Sequence, residues 1–315
     1  MANVSLRGIA LGMALGMTLT ALLMGGCAAE EPAVVDEIAG EQAGDEAAGE
    51  QSVRSRARRI RAAAKKSGAS AAAAAALELV RDSGDFQVHY ARRRGAEYQE
   101  WEEVFKETQL LEVTAAELNG VFALPADVPV VLRECGEVNA FYDPETREIS
   151  LCYEMIEDLA AVYFTEDQTD EEAEEAGTAV ANALMFTFYH ELGHALIHLY
   201  DLPVTGREED AVDQLATMIL LEGGDEGEDA AIDGANSFVS GEETEIEDLS
   251  FWDEHSLDDQ RFYNILCWIY GKNPEDYHYL VEDETLPADR AARCPGEYQR
   301  MSRSWDALLT PYVKE

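Results

Sequence analysis

The chain has 315 residues and a formal net charge of −41, with 64 Asp and Glu against 23 Lys and Arg. A fold this acidic repels phosphate backbones, which argues against nucleic acid as a partner. Six histidines and five cysteines are few enough for their positions to be informative.

Residues 1–26 read as an export leader: Arg7 precedes an apolar stretch from Ile9 to Met24, and Gly25-Gly26-Cys27 closes it. A cysteine directly after small residues matches a bacterial lipoprotein cleavage site, so Cys27 is expected to become the lipidated first residue. Ordinary secretion and an uncleaved anchor are the alternatives, and the apolar run is short for a membrane span. The expected location is the bacterial cell envelope, lipid-anchored to a membrane.

Residues 27–84 read as a tether. Positions 28–51 are rich in Ala, Glu, Gly and Asp without aromatic residues, a composition that cannot bury enough surface to order itself. A basic cluster follows (Arg54, Arg56, Arg58, Arg59, Arg61, Lys65 and Lys66), suited either to anionic headgroups or to a solvated linker.

One domain is expected from 85 to 315, α+β in class and mostly helical. Glu97–Leu118 reads as helix with Trp101, Val104 and Phe105 inside. Val128–Leu132, Val138–Phe141 and Glu148–Tyr153 read as strands of a small antiparallel sheet, the last two joined by a turn through Asp143-Pro144. Helix is expected over 154–163, then an acidic turn over Thr165–Glu175 and a long helix ending before Pro203. A second helix begins near Arg207, and Gly223–Asp229 reads as a loop before a short helix from Asp229 to Val239. Gly241–Ser250 is acidic and expected to be mobile. Ser256, with Asp259, is expected to cap a helix over Leu257–Tyr270. A closing helix spans Gly296–Tyr312, with Tyr298, Met301, Trp305 and Leu308 inward.

The long helix carries Tyr189-His190-Glu191-Leu192-Gly193-His194-Ala195. Residues i and i+4 lie on one helix face, so His190 and His194 can offer two imidazoles to one metal ion. Glu191 is turned by about 100° and can reach a metal-bound water. An amphipathic helix with two surface histidines is the plain alternative, but the apolar flanks (Leu184, Met185, Phe186 and Phe188, then Ala195, Leu196 and Ile197) predict burial. Buried histidines and a buried glutamate need partners.

On the next helix Glu209 and Asp213 are spaced i, i+4, which fits a third ligand and an acceptor for the ring N–H of a metal histidine. Glu208 is the competing ligand; Asp210 or Asp213 would be the aspzincin variant. His198, one turn beyond His194, reads as a helix-end residue. The metzincin extension is absent, because Ile197 and Tyr200 fill its glycine and histidine places.

H-E-x-x-H followed by a helix with E-x-x-x-D resembles the gluzincin class of zinc peptidases. Four further stretches sharpen this: Glu134-Cys135-Gly136-Glu137-Val138-Asn139-Ala140-Phe141-Tyr142-Asp143-Pro144, Ser150-Leu151-Cys152-Tyr153-Glu154, Gly206-Arg207-Glu208-Glu209-Asp210-Ala211 and Phe251-Trp252-Asp253-Glu254-His255-Ser256-Leu257-Asp258. Over roughly residues 85 to 315 the chain is similar to a bacterial domain-of-unknown-function family described as metallopeptidases. The resemblance implies Zn2+ on His190, His194 and Glu209, Glu191 as general base, and a protein or peptide substrate. It implies a sheet lying over the active-site helix, whose edge strand, expected at Glu148–Cys152, pairs with an extended substrate. Gluzincins also place a donor beside the oxyanion, for which His255, Arg261 and Tyr263 are candidates. The rival readings are a non-catalytic metal-binding lipoprotein and an envelope-interaction module, and the chain is expected to be monomeric.

With Cys27 lipidated, four cysteines remain, an even number in an exported chain. Of three connectivities, Cys135–Cys152, joining two strands of the hairpin region, and Cys267–Cys294 are favoured over a Cys/His zinc site.

Overall fold

The computed structural model describes residues 82–92, 96, 98–239 and 251–314. The export leader, Cys27, nearly all of the tether with its basic cluster, and the acidic stretch 241–250 lie outside the described residues.

Four strands form one sheet in the order β1-β2-β4-β3: β1 Phe86–Tyr90, β2 Val128–Arg133, β3 Ala140–Asp143 and β4 Glu148–Cys152. β1, β2 and β4 are mutually parallel, and only β3 runs antiparallel, against β4. The sheet is therefore mixed rather than antiparallel, and β4 is internal rather than an edge. Burial explains β4: Ile149, Ser150, Leu151 and Cys152 are all buried, the continuous inward pattern of a central parallel strand rather than the alternation of an edge. The edge beside the long helix is β3. Its hairpin turn is closed by Asp143, which accepts from the Glu145 N–H and the Thr146 hydroxyl, both at 2.8 Å.

The first helical stretch is two helices, α1 Gln99–Thr108 and α2 Leu110–Val121, separated at Gln109 (φ 54°). Trp101, Val104 and Phe105 are buried as expected. α3 (Tyr153–Tyr163) follows β4 directly.

α4 runs from Asp170 to Tyr200. It starts within the stretch expected to be a turn, because Thr169 caps it. The Thr169 hydroxyl accepts from the Glu172 N–H, and the Glu172 carboxylate accepts from the Thr169 N–H at 2.7 Å. Asp170, Glu171 and Glu172 suit the positive end of the helix dipole. Past Ala176 the helix is apolar nearly all round and is buried by its neighbours.

α5 (Glu208–Leu221) and α6 (Asp225–Asn236) pack on α4. The motif's own glycine sets the α4–α5 spacing, since a Cβ on Gly193 would lie 2.7 Å from the Val212 side chain. Val212 sits between Glu209 and Asp213, so this contact brings both carboxylates onto the histidine face. α7 (Asp258–Lys272) lies against α5 and α6, followed by the short helices α8 (Tyr279–Glu282) and α9 (Ala288–Ala291). α10 (Cys294–Leu309) closes the domain with Met301, Trp305 and Leu309 buried. Among the described residues no helix is long and apolar enough to cross a membrane.

Cys267 on α7 bonds to Cys294 at the start of α10, with Cα atoms 5.1 Å apart. Cys135 bonds to Cys152 at 5.5 Å. Cys135 lies in the loop after β2 rather than in a strand, so this bond ties the approach to β3 to the end of β4.

Candidate metal centre

α4 and α5 cross with His190 and His194 facing Glu209. One carboxylate oxygen of Glu209, Oε2, receives three imidazoles. His190 Nε2 lies 3.1 Å away, His194 Nε2 3.3 Å, and His255 Nε2 3.0 Å. The first two nitrogens come from one helix face. The third comes from the segment 251–257 that precedes α7.

Each imidazole also has a carboxylate behind it. His190 Nδ1 donates to Asp213 Oδ1 at 2.7 Å, His194 Nδ1 to Glu208 Oε1 at 2.8 Å, and His255 Nδ1 to Asp253 Oδ1 at 3.1 Å. A carboxylate on Nδ1 fixes the tautomer that aims Nε2 inward. Glu208, weighed above as a competing ligand, thus meets the outward nitrogen of His194, while Glu209 meets the inward nitrogens. Asp213 is itself held by Arg261, which donates from Nε at 2.8 Å and from NH2 at 2.7 Å. The Arg261 guanidinium lies 3.9 Å over the Phe238 ring and is committed to Asp213, not free to meet an oxyanion.

The protonation pattern of the metal-free protein follows from these contacts. Burial works against charge on His190 and His194. The carboxylates outweigh it: Asp213 and Glu209 raise His190, and Glu209 and Glu208 raise His194 to about 9. His255 is raised by Glu209. Burial raises Glu209, but the three imidazoles hold it far below the usual carboxylate range. Asp213, against its burial, is held at about 2 by His190 and Arg261.

This donor set tests whether a cation fits. With carboxylates facing both nitrogens, the protonated form of each imidazole is favoured in the metal-free protein. The centre therefore gathers three imidazoles around one carboxylate oxygen, with Glu208, Asp213 and Asp253 outside them. A divalent cation meeting the inward nitrogens and Glu209 would replace those protons, leaving each Nδ1–H donor in place. The residues fit a metal such as zinc.

Glu191 is buried, and burial raises its carboxyl pKa. The backbone of Tyr142 on β3 acts against that rise. The Tyr142 hydroxyl lies 2.8 Å from His198 Nδ1, so His198 braces the edge strand and stands apart from the three converging imidazoles.

Ser256 does not cap α7. Its hydroxyl donates to Asp210 Oδ1 at 2.6 Å, and the helix starts at Asp258 with the Gln260 side chain accepting from the Leu257 N–H. Tyr263 is half exposed and lines a cavity of about 410 Å³ with Asp210, Ser256, Asp259, Gln260 and Asn264. It sits beside the centre, not among the groups that meet Glu209. Spacing had no means of showing the pairing of Glu208 with His194, of Asp253 with His255, or of Arg261 with Asp213. The only local signal was Asp253 two residues before His255.

Comparison with curated proteins and with solved structures finds no match to this chain. A family model described as "Putative metallopeptidase" matches residues 90–309, well over half of the sequence. The match includes all three converging histidines, Glu191 and Glu209, and the chain belongs to this metallopeptidase family.

Proposed function

We propose that the domain is a zinc-dependent peptidase of gluzincin type, with His190, His194 and Glu209 holding the metal and Glu191 as general base. The observation that carries this reading is the convergence of imidazole nitrogens on Glu209 Oε2 beside a buried glutamate. Bound there, zinc would supply Lewis acidity toward a carbonyl oxygen and make water more acidic.

The chain's own residues would do the rest. Glu191, its pKa raised by burial, is suited to take a proton from the attacking water and return it to the leaving amine. Asp213, backed by Arg261, fixes His190, and Glu208 fixes His194. β3 would dock an extended peptide along its free edge, since β4 is paired on both sides and Tyr142 brings that edge to Glu191. The proposed setting is the bacterial envelope, with the protein lipid-anchored through Cys27. The leader sequence and the two cysteine pairs support it.

The third imidazole at the centre favours a second reading, a non-catalytic metal-binding lipoprotein: His255 groups with His190 and Glu209, and with His194 added four protein ligands would make a closed site. One experiment separates the two. The full chain is loaded with zinc and screened against a peptide library beside Glu191→Gln. Cleavage by the wild type, lost in a Glu191→Gln protein that retains one zinc per chain, is the expected result. A zinc-loaded wild type that cleaves nothing would leave the binding reading.

A further inference from the structure

His255 reaches the centre in a way that its neighbours do not. His190 and His194 are presented by a 31-residue helix and are largely buried. His255 sits on a segment without regular structure, and its side chain is 41 % exposed. Yet it is aimed as carefully as the other two. Asp253 Oδ1 accepts both from its Nδ1 at 3.1 Å and from its backbone N–H at 2.8 Å. Arg207, just before α5, donates to its carbonyl at 3.0 Å, and the adjacent Ser256 is tied to Asp210 of α5. Its ring stacks on that of His190, with centroids 6.0 Å apart and planes 23° from parallel.

Resting on the zinc reading above, we propose that His255 is a fourth, displaceable metal ligand that closes the centre at rest. Three Nε2 atoms within 3.3 Å of one carboxylate oxygen bring together three imidazoles and one carboxylate, the number of donors that would close a zinc site. A donor aimed only at a substrate oxyanion has no need to share its acceptor with the metal histidines. The difference in mounting makes His255 the ligand that leaves. Its release needs only movement of an exposed segment held by side-chain hydrogen bonds, whereas His190 and His194 are packed side chains of a continuous helix with little room to turn away. A carbonyl or other small oxygen ligand could take the vacated place, with Asp253 still holding the imidazole nearby.

The test counts imidazoles and measures affinity. Zinc-edge X-ray absorption on the zinc-loaded full chain is expected to show three imidazoles, falling to two in His255→Ala and to two in the wild type on adding acetohydroxamate. Zinc affinity, measured by chelator competition, is expected to fall on the order of 10- to 100-fold in His255→Ala. Asp253→Ala, which keeps the imidazole but frees it, should lose several-fold. Two imidazoles in the wild type with unchanged affinity in His255→Ala would overturn the fourth ligand and leave the peptidase reading standing. Three imidazoles that acetohydroxamate cannot reduce would overturn displacement. A wild type that takes up no zinc would overturn both readings.

Discussion

Two carboxylates on successive helices, the buried Glu228 on α6 and the part-buried Glu209 on α5, are treated in opposite ways. Glu228 receives the Lys272 ammonium at 2.9 Å on one oxygen and the Tyr277 hydroxyl at 2.6 Å on the other. Lys272 also donates to the Leu221 carbonyl at the end of α5. One cation meets one anion, and each oxygen has its donor, so the set is closed and serves to pin α6 and α7 together. Glu209 instead receives three imidazoles on a single oxygen, each with a second carboxylate behind it. Such a set is satisfied only by added protons or by a cation. The Glu228 cluster balances its donors and acceptors internally and pins helices, whereas the Glu209 cluster does not balance, which marks it as a candidate metal site.

The sharpest way to break the comparison is to remove the central carboxylate. Glu209→Ala is expected to weaken zinc binding by more than about 100-fold in a folded protein, measured by chelator competition. Glu191→Gln leaves the donor set intact. It should keep one zinc per chain while peptide hydrolysis falls by roughly 10²- to 10⁴-fold, and equal turnover by the two proteins would rule out the base role.

Acidity offers a third approach. In the metal-free chain His194 is raised from 6.5 to about 9, so its proton stabilises the fold fully below about pH 6.5, and that contribution disappears as pH rises through about 9. Zinc must displace this proton. Its affinity should therefore climb between pH 6.5 and 9, by roughly tenfold per unit for each proton released. A flat profile from calorimetry would show that His194 is not a ligand.

Asp213→Asn keeps the shape but weakens the hold on His190 and the match to Arg261, with an expected loss in zinc affinity of about 10-fold, up to about 100-fold. The smallest effect belongs to the closed cluster. Tyr277→Phe should cost about 1 kcal/mol of stability in chemical denaturation and leave zinc affinity unchanged. A change in zinc affinity would mean that the two clusters communicate through α7.

Much of the centre was legible because it is written in helical period. His190 and His194, and Glu209 and Asp213, are each one turn apart, and an apolar surround marks α4 as buried. The sheet was harder to read. β1, Phe-Gln-Val-His-Tyr, is short and alternating and gave little signal before it paired with β2. β4 gave a clear strand signal and its hairpin with β3 was expected, but its parallel pairing with β2 on the other side left no local signal, so its internal place was invisible.

By itself the sequence determined which residues could share a helix face, where the apolar runs stop, and that four cysteines were available to pair. These depend on interactions within a turn or two. Tertiary structure alone decided that Gly193 lets Val212 approach, that Glu208 lies behind His194, that Arg261 is committed to Asp213, and that His255 reaches Glu209 from 46 residues away. Those contacts arise from how helices cross and loops return, and they are set by packing of the whole core rather than by local spacing.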